Sequence, residues 1–401
     1  MSINIFAFAV PFFLFFIGLE YFIGRKYRKN IHHFRESIAN LNVGVAERLI
    51  DLFTASSFYF FYDYLHRHFA LFQMEPSLLL WIALILGTDL LWYWYHRLGH
   101  EVNLFWAAHI VHHQSEDFNY TTGTRITILQ AVVRTAFWSV LPVIGFPAEM
   151  ISTVLVIHGL YPFFTHTQLI GNLGILEYLL VTPSHHRVHH ASNDIYLDKN
   201  YGDMFIIWDK LFGTFAKETV PPQYGLTKSL DSYSFLWQHF HYFVELGIAI
   251  KQQKGIINKL KIIFGKPEDF DSNIRPTAEK IFRIESTKQS TPTKLKTYVL
   301  IQMAITMGVL FGLLLLEKHI PFGFQVAVAI IILLTLINIG AILEQQKWVF
   351  YLEYLRLVGV SLTLWCVSPT PISIIVMAYV VVLSFIYFQS LKSYYLQLIY
   401  G

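Results

Sequence analysis

Residues 78–95, LLLWIALILGTDLLWYWY, form an apolar run interrupted by a single charge, and HRLGHEVNLFWAAHIVHH, residues 96–113, follows without a break. A membrane-spanning helix takes about 20 mostly apolar residues. The run therefore places five histidines at the end of a span, where the chain meets water. Charged residues make up 14% of the chain and mean hydropathy is +0.45, against about 25% charged in soluble domains. The balance is that of a membrane protein. A net charge of +3, with no basic cluster interleaved with aromatics, argues against nucleic acid as a partner. One cysteine, Cys366, excludes an intrachain disulfide and a multi-thiolate metal site. Imidazole and carboxylate remain as metal ligands.

Further apolar segments lie near 3–23, 127–145, 148–166, 297–316, 321–343, 349–367 and 371–391. A weaker segment at 45–65 carries Glu47, Arg48 and Asp51 and is kept because the parity of the others requires it. The amino terminus is expected to stay as a first span, with Arg25, Lys26, Arg28 and Lys29 at its cytoplasmic end. Counting spans from there brings every histidine cluster, and the polar stretch 182–296, to the cytoplasmic side. The expected architecture is all-α: a polytopic membrane helical bundle with a cytoplasmic histidine-rich di-metal cap. Its expected divisions are a histidine-bearing membrane domain over 1–273 with its core at 78–216, a linker over 274–296, and a four-helix membrane region over 297–401. The expected location is a bacterial inner membrane or the endoplasmic reticulum, with the histidine site on the cytoplasmic face.

Spacing carries the chemistry. His96 and His100 stand at i, i+4, while His109, His112 and His113 stand at i, i+3 and i+4, so each set shares one helix face. TPSHHRVHHASN repeats the pattern with His186, His189 and His190. Nine of the eighteen histidines fall in two windows, 96–113 and 185–190, totalling 24 residues of 401. Interfacial histidines without a shared role would be scattered instead. Eight or more imidazoles exceed what one four- to six-coordinate ion uses, so two adjacent ions are expected. Iron suits such a pair in a lipid-facing pocket, with zinc as the other metal an all-nitrogen site accepts.

HRLGH, HIVHH and HHRVHH resemble the histidine boxes of the fatty acid hydroxylase and sterol desaturase superfamily. The longer stretches HEVNLFWAAHIVHHQSEDFNYTTGTR, FTHTQLIGNLGILEYLLVTPSHHRVHHASN and LDKNYGDMFIIWDKLFGTF resemble its ether-lipid-cleaving branch. The resemblance implies a membrane monooxygenase with two iron ions, O2 as co-substrate, a membrane lipid substrate and, in that branch, tetrahydrobiopterin as electron donor. The implied metal ligands are His96, His100, His109, His112, His113, His186, His189 and His190, with His166 in FTHT as a ninth. Some superfamily members carry a paired HxxxH at this last position, whereas positions 162 and 170 are Pro and Ile here. Glu101 matches the acidic residue after the first box and is the candidate catalytic group, either as a ligand or as an acceptor that fixes an imidazole tautomer.

His185, Asp117 and Asp194 are candidates for supporting positions around the ligands, and Asp203 is of the same kind. His158, eight residues before His166, shares its helix face and reads as a buried, hydrogen-bonded histidine. Arg97 and Arg187 suit an anionic group or a neighbouring acid, and WYWY at 92–95 suits an interface belt. The alternatives are a sterol or fatty-acyl hydroxylase or desaturase with a different electron donor and, from another class, a histidine-rich metal transporter. A transporter needs ionisable residues along its path through the bilayer, and the expected spans offer few beyond His158.

Overall fold

In the computed structural model, residues 4–284, 291–367 and 370–400 are described. Their regular structure is helical, as expected, with only isolated bridge pairs in extended conformation. The helices are α1 (Ala9–Lys26), α2 (Phe34–Phe69), α3 (Leu78–Glu101), α4 (Asn103–His113), α5 (Ile128–Trp138), α6 (Val140–Ile144), α7 (Ala148–Thr165), α8 (Pro183–His189) and α9 (Ile207–Phe212). There follow α10 (Phe235–Gln252), α11 (Ile256–Phe264), α12 (Ile274–Phe282), α13 (Thr293–Leu315), α14 (Phe322–Leu343), α15 (Val349–Val367), α16 (Pro371–Ile386) and α17 (Phe388–Tyr400). Among the described residues, Ile5–Lys26, α3, α7, α13 and α14 are each long and apolar enough to cross a membrane. The protein is a multi-pass membrane protein.

Exposure supports that conclusion independently. Leu78 and Leu79 are 78% and 76% exposed, whereas Thr88 and Asp89 on the same helix are fully buried. Apolar side chains outside and polar groups inside are what a helix in lipid requires.

The weak span at 45–65 is part of α2, a helix of 36 residues. At 1.5 Å per residue it is about 54 Å long, well beyond the ~30 Å hydrocarbon layer. Arg48 pairs with Glu47 and Asp51 on it, and Asn40, Asn42 and Glu47 are buried. Its polar positions make contacts inside the protein, so the parity argument from a weak but ordinary span does not hold. The segment 127–145 is also not one helix: it breaks at Ser139 into α5 and α6.

Two compact units divide the chain. One comprises Phe16–Leu230 and Gln238–Ile284. In it α3 packs against α4, α5 and α7, and α2 packs against α6 and α7. Tyr62, Leu84, Trp138, Leu141, Phe146, Ile151 and Val154 belong to one hydrophobic core cluster within it. The other comprises Met1–Phe15, Asp231–Trp237 and Glu285–Gly401. There Glu344 accepts from Ser232 Oγ and from the Tyr233 and Ser234 N–H groups, and Asn4 N–H donates to the Leu315 carbonyl. These pairings join residues more than 100 positions apart in the chain. The segment expected as a linker begins with α12, whose Arg275 is buried and paired with Glu245 at 2.8 Å. Its residues 285–290, and the Cys366 side chain, lie outside the described residues.

The turn between α6 and α7 depends on Gly145, at φ 132°, where a Cβ would overlap the Phe72 carbonyl oxygen. Leu71 and Phe72 N–H groups donate to the Val143 and Ile144 carbonyls beside it. Gly145→Ala is expected to destabilise the fold by about 2 kcal/mol through the left-handed φ and the overlap. Thermal unfolding of the detergent-solubilised protein measures this; an unchanged Tm contradicts it.

Candidate metal centre

The 3.6-residue period gives α4 two faces. Ala107, Ile110 and Val111 pack with Val43 and Tyr242 in a small core, which turns His109, His112 and His113 the other way. His96 and His100 project from the last turns of α3. His166 follows directly on α7, and its Nδ1–H donates to the Pro162 carbonyl at 2.6 Å. The third histidine set lies on α8 and its C-cap, His190. Pro183 opens that helix, and the Thr182 N–H donates to His185 Nδ1 at 3.4 Å.

These elements bring nine imidazoles together in two groups. His96, His100, His109, His113 and His189 form one; His112, His166, His186 and His190 form the other. Within each group the ring nitrogens that could bind an ion lie within 4.8 Å of one another. In the first, Nε2 atoms are 3.1 Å apart for His96–His109, His109–His113 and His100–His113. In the second, separations are 3.1 Å for His112–His190 and His166–His190, 3.0 Å for His166–His186 and 3.4 Å for His112–His166. α4 and α8 serve both groups, and the His113 and His190 rings stack at 4.4 Å between them.

The outward nitrogens decide the protonation of the inward ones. Nδ1 faces a backbone carbonyl in His96 (Tyr201, 2.8 Å), His112 (Arg125, 3.1 Å), His166 (Pro162, 2.6 Å) and His189 (Lys199, 3.0 Å). A carbonyl only accepts, so Nδ1 carries the proton and Nε2 presents a lone pair. Lone pairs about 3 Å apart in a dry pocket repel unless a cation lies among them. Two nitrogens held about 2.1 Å from one ion are separated by about 3.0 Å at a right angle and about 3.4 Å at a tetrahedral angle. The observed separations fit that geometry. His189 Nε2 is buried with no hydrogen-bond partner among the described residues, as expected of a nitrogen reserved for a metal.

Burial favours the neutral form of seven of these rings. It holds His109, His112, His113, His186, His189 and His190 well below the usual histidine range, with neighbouring imidazoles adding to the effect. Burial lowers His166 to about 4. Neutral imidazole is the form that binds a metal. Arg125 is fully buried beside them and gives its N–H groups to neutral oxygens of Val111, Asn40 and Gln114; burial brings its pKa down to about 10.

The remaining candidates lie apart from the two groups. Glu101 pairs with Arg97 at 2.9 Å and stays partly exposed. Asp117 is bound to His33, accepting its backbone N–H at 2.6 Å and meeting its ring at 2.5 Å, which anchors the start of α2. Asp194 is exposed. His185 belongs to the α8 cap, 4.0 Å from Glu177. Arg187 is committed to Glu218, with further bonds to the Thr167 and Ile170 carbonyls. In WYWY, Tyr93 and Tyr95 are buried and Trp94 is exposed, so half of the expected belt is core. Sequence reasoning missed the carbonyls of Lys199, Tyr201, Arg125 and Pro162, which carry no side-chain signature. It also missed Gln130, whose amide meets His109 Nδ1 at 2.5 Å.

Comparison with known proteins agrees with this geometry. A family model described as fatty acid hydroxylase matches residues 81–214, which hold all nine rings. Alkylglycerol monooxygenase of Homo sapiens is 34% identical over 87% of this chain and 80% of its own length. The chain belongs to the fatty acid hydroxylase family. The Danio rerio alkylglycerol monooxygenase is 32% identical over 88% of the chain and 81% of its own length. An ornithine lipid hydroxylase of Rhizobium tropici is 27% identical over 50% of the chain and 55% of its own length. No solved structure matches the chain. Membership makes the protein a membrane oxidoreductase of the monooxygenase and hydroxylase type, in a family of non-haem iron oxygenases.

Substitutions should separate the converging rings from those that only resemble them in sequence. His113→Ala and His112→Ala are each expected to lower the bound metal per chain. His185→Ala is expected to leave metal content intact and cost about 1 kcal/mol through the lost cap. Elemental analysis with thermal unfolding reads both, and metal loss in His185→Ala would remove the distinction.

Proposed function

We propose that the protein is an alkylglycerol monooxygenase that holds one iron ion in each histidine group. His96, His100, His109, His113 and His189 are the proposed ligands of one ion, and His112, His166, His186 and His190 of the other. Glu101, tied to Arg97, is left out of the ligand set. One observation carries the substrate assignment: similarity to alkylglycerol monooxygenases covers 87% of the chain, far beyond the histidine-bearing stretch that the family model matches.

Bound iron supplies the electron-transfer chemistry that activates O2. The protein's own part is to orient and to exclude water. Carbonyls of Tyr201, Lys199, Arg125 and Pro162 hold four rings in one tautomer. Phe118, fully buried and stacked on His166 and Tyr224, closes one side of the second group, while Trp106 packs on His100 at 5.0 Å. In the proposed reaction, one oxygen atom of O2 enters a C–H bond beside the ether oxygen. The other atom leaves as water after taking two electrons and two protons, with tetrahydrobiopterin as the proposed reductant. The product is a hemiacetal; proton transfer and C–O cleavage then release an aldehyde and a free glycerol hydroxyl.

Arg25 and Lys26 at the end of α1, followed by Arg28 and Lys29, support a cytoplasmic position for the site. Purified, iron-loaded protein given a chain-labelled alkylglycerol, O2 and reduced tetrahydrobiopterin is expected to yield a labelled aldehyde only when oxygen is present. Oxygen-dependent hydroxylation without cleavage would favour the sterol or fatty-acyl hydroxylase reading, to which the match with an ornithine lipid hydroxylase lends some support. No oxygen-dependent product would overturn both.

A further inference from the structure

Within residues 198–202, DKNYG, the backbone carbonyls that meet imidazole rings meet rings of one histidine group, and Asn200 Nδ2 donates to the His185 carbonyl of α8 at 3.1 Å. Lys199 and Tyr201 present their carbonyls to Nδ1 of His189 and His96, and Asp198 Oδ1 lies 3.7 Å from Nδ1 of His100. All three rings belong to the five-histidine group. In the four-histidine group, the corresponding carbonyls belong to Arg125 and Pro162, on separate parts of the chain.

The loop has an unusual path. Asp198 and Asn200 both adopt left-handed conformations, at φ 58° and 56°, which Asp and Asn tolerate better than other non-glycine residues. A Cβ on Gly202 would stand 2.6 Å from the Phe205 carbonyl oxygen and 3.0 Å from Asp209 Oδ2. Asp209 holds this path in place. Fully buried, it accepts from the Tyr201 N–H at 2.7 Å, the Gly202 N–H at 2.8 Å and Thr214 Oγ1 at 2.7 Å. Three donors on one carboxylate leave no place for an amide N–H2.

A second anchor comes from the membrane helices. Asp89 accepts from the Met204 and Phe205 N–H groups and from Trp208 Nε1, and His158 Nδ1 pairs with Asp203 at 2.5 Å. Asp89, His158 and Asp203 are close enough together to suggest a third ion site, but these bonds account for them as attachments of the same loop.

We propose that Asp209 is a positioning residue for one metal site. It fixes the backbone of residues 199–202, and thereby the His96 and His189 rings, and plays no part in orienting the four-histidine group. The inference rests on the reading that each histidine group holds one ion. Asp209→Asn removes the acceptor for one backbone donor while keeping the size of the side chain.

The test uses the full chain in detergent, loaded with ferrous iron, with iron per chain, the Mössbauer spectrum and the unfolding temperature measured together. The wild type is expected to hold two ions and Asp209→Asn one, with a single iron environment remaining. Loss of an outer partner of a metal-binding histidine typically weakens retention 10- to 100-fold, and Thr214→Ala, which spares the carboxylate, is expected to lose one ion to a chelator faster than the other. Two ions held as tightly as in the wild type, or both lost from a folded variant, would overturn the proposal. If Asp209→Asn does not fold, the same two outcomes in Thr214→Ala decide. A wild type that never holds two ions removes the underlying reading as well, so the two failures stay distinct.

Discussion

Everything at the centre follows from one constraint: a buried imidazole whose Nδ1–H is given to a carbonyl must turn a bare lone pair inward. Four rings are fixed in this way, two in each group. Converging lone pairs repel one another, and a cation among them removes that repulsion, so the arrangement suits a receptor for positive charge. Burial reinforces it, because each ring kept neutral is a ring kept ready to bind.

The membrane helices have a narrower task than their number suggests. α3 and α7 carry His96, His100 and, one residue beyond α7, His166 to neighbouring positions. α4 and α8 are too short to span, at 11 and 7 residues, and each supplies rings to both groups. Polar groups inside the bundle, such as Asp89 and His158, are occupied in holding loops rather than lining a path. That occupation argues against the transporter alternative on physical grounds.

A good part of this was legible in the residues. The i, i+3 and i+4 spacing of His109, His112 and His113 survives as a shared face of α4, because helical periodicity is local. His96 and His100, and the HxxHH of α8, are legible for the same reason. What spacing could not assign was which ring joins which group: His112 parts company with His109 and His113, its neighbours in sequence, and joins His166, His186 and His190. Asp117 illustrates the opposite case, a carboxylate near a histidine box in sequence whose partner is His33, 84 positions away.

The sequence by itself determined the class of molecule, its main apolar helices and the three histidine sets, since hydropathy and helical period act over a few turns of chain. Tertiary structure alone decided the pairing of rings into two groups, the carbonyls that fix their tautomers, and the Asp209 attachment of residues 199–202. Those features join backbone atoms and side chains brought together by packing, and a backbone carbonyl is the same group whichever residue bears it. The letters of the sequence therefore carry no mark of which carbonyl will meet which ring.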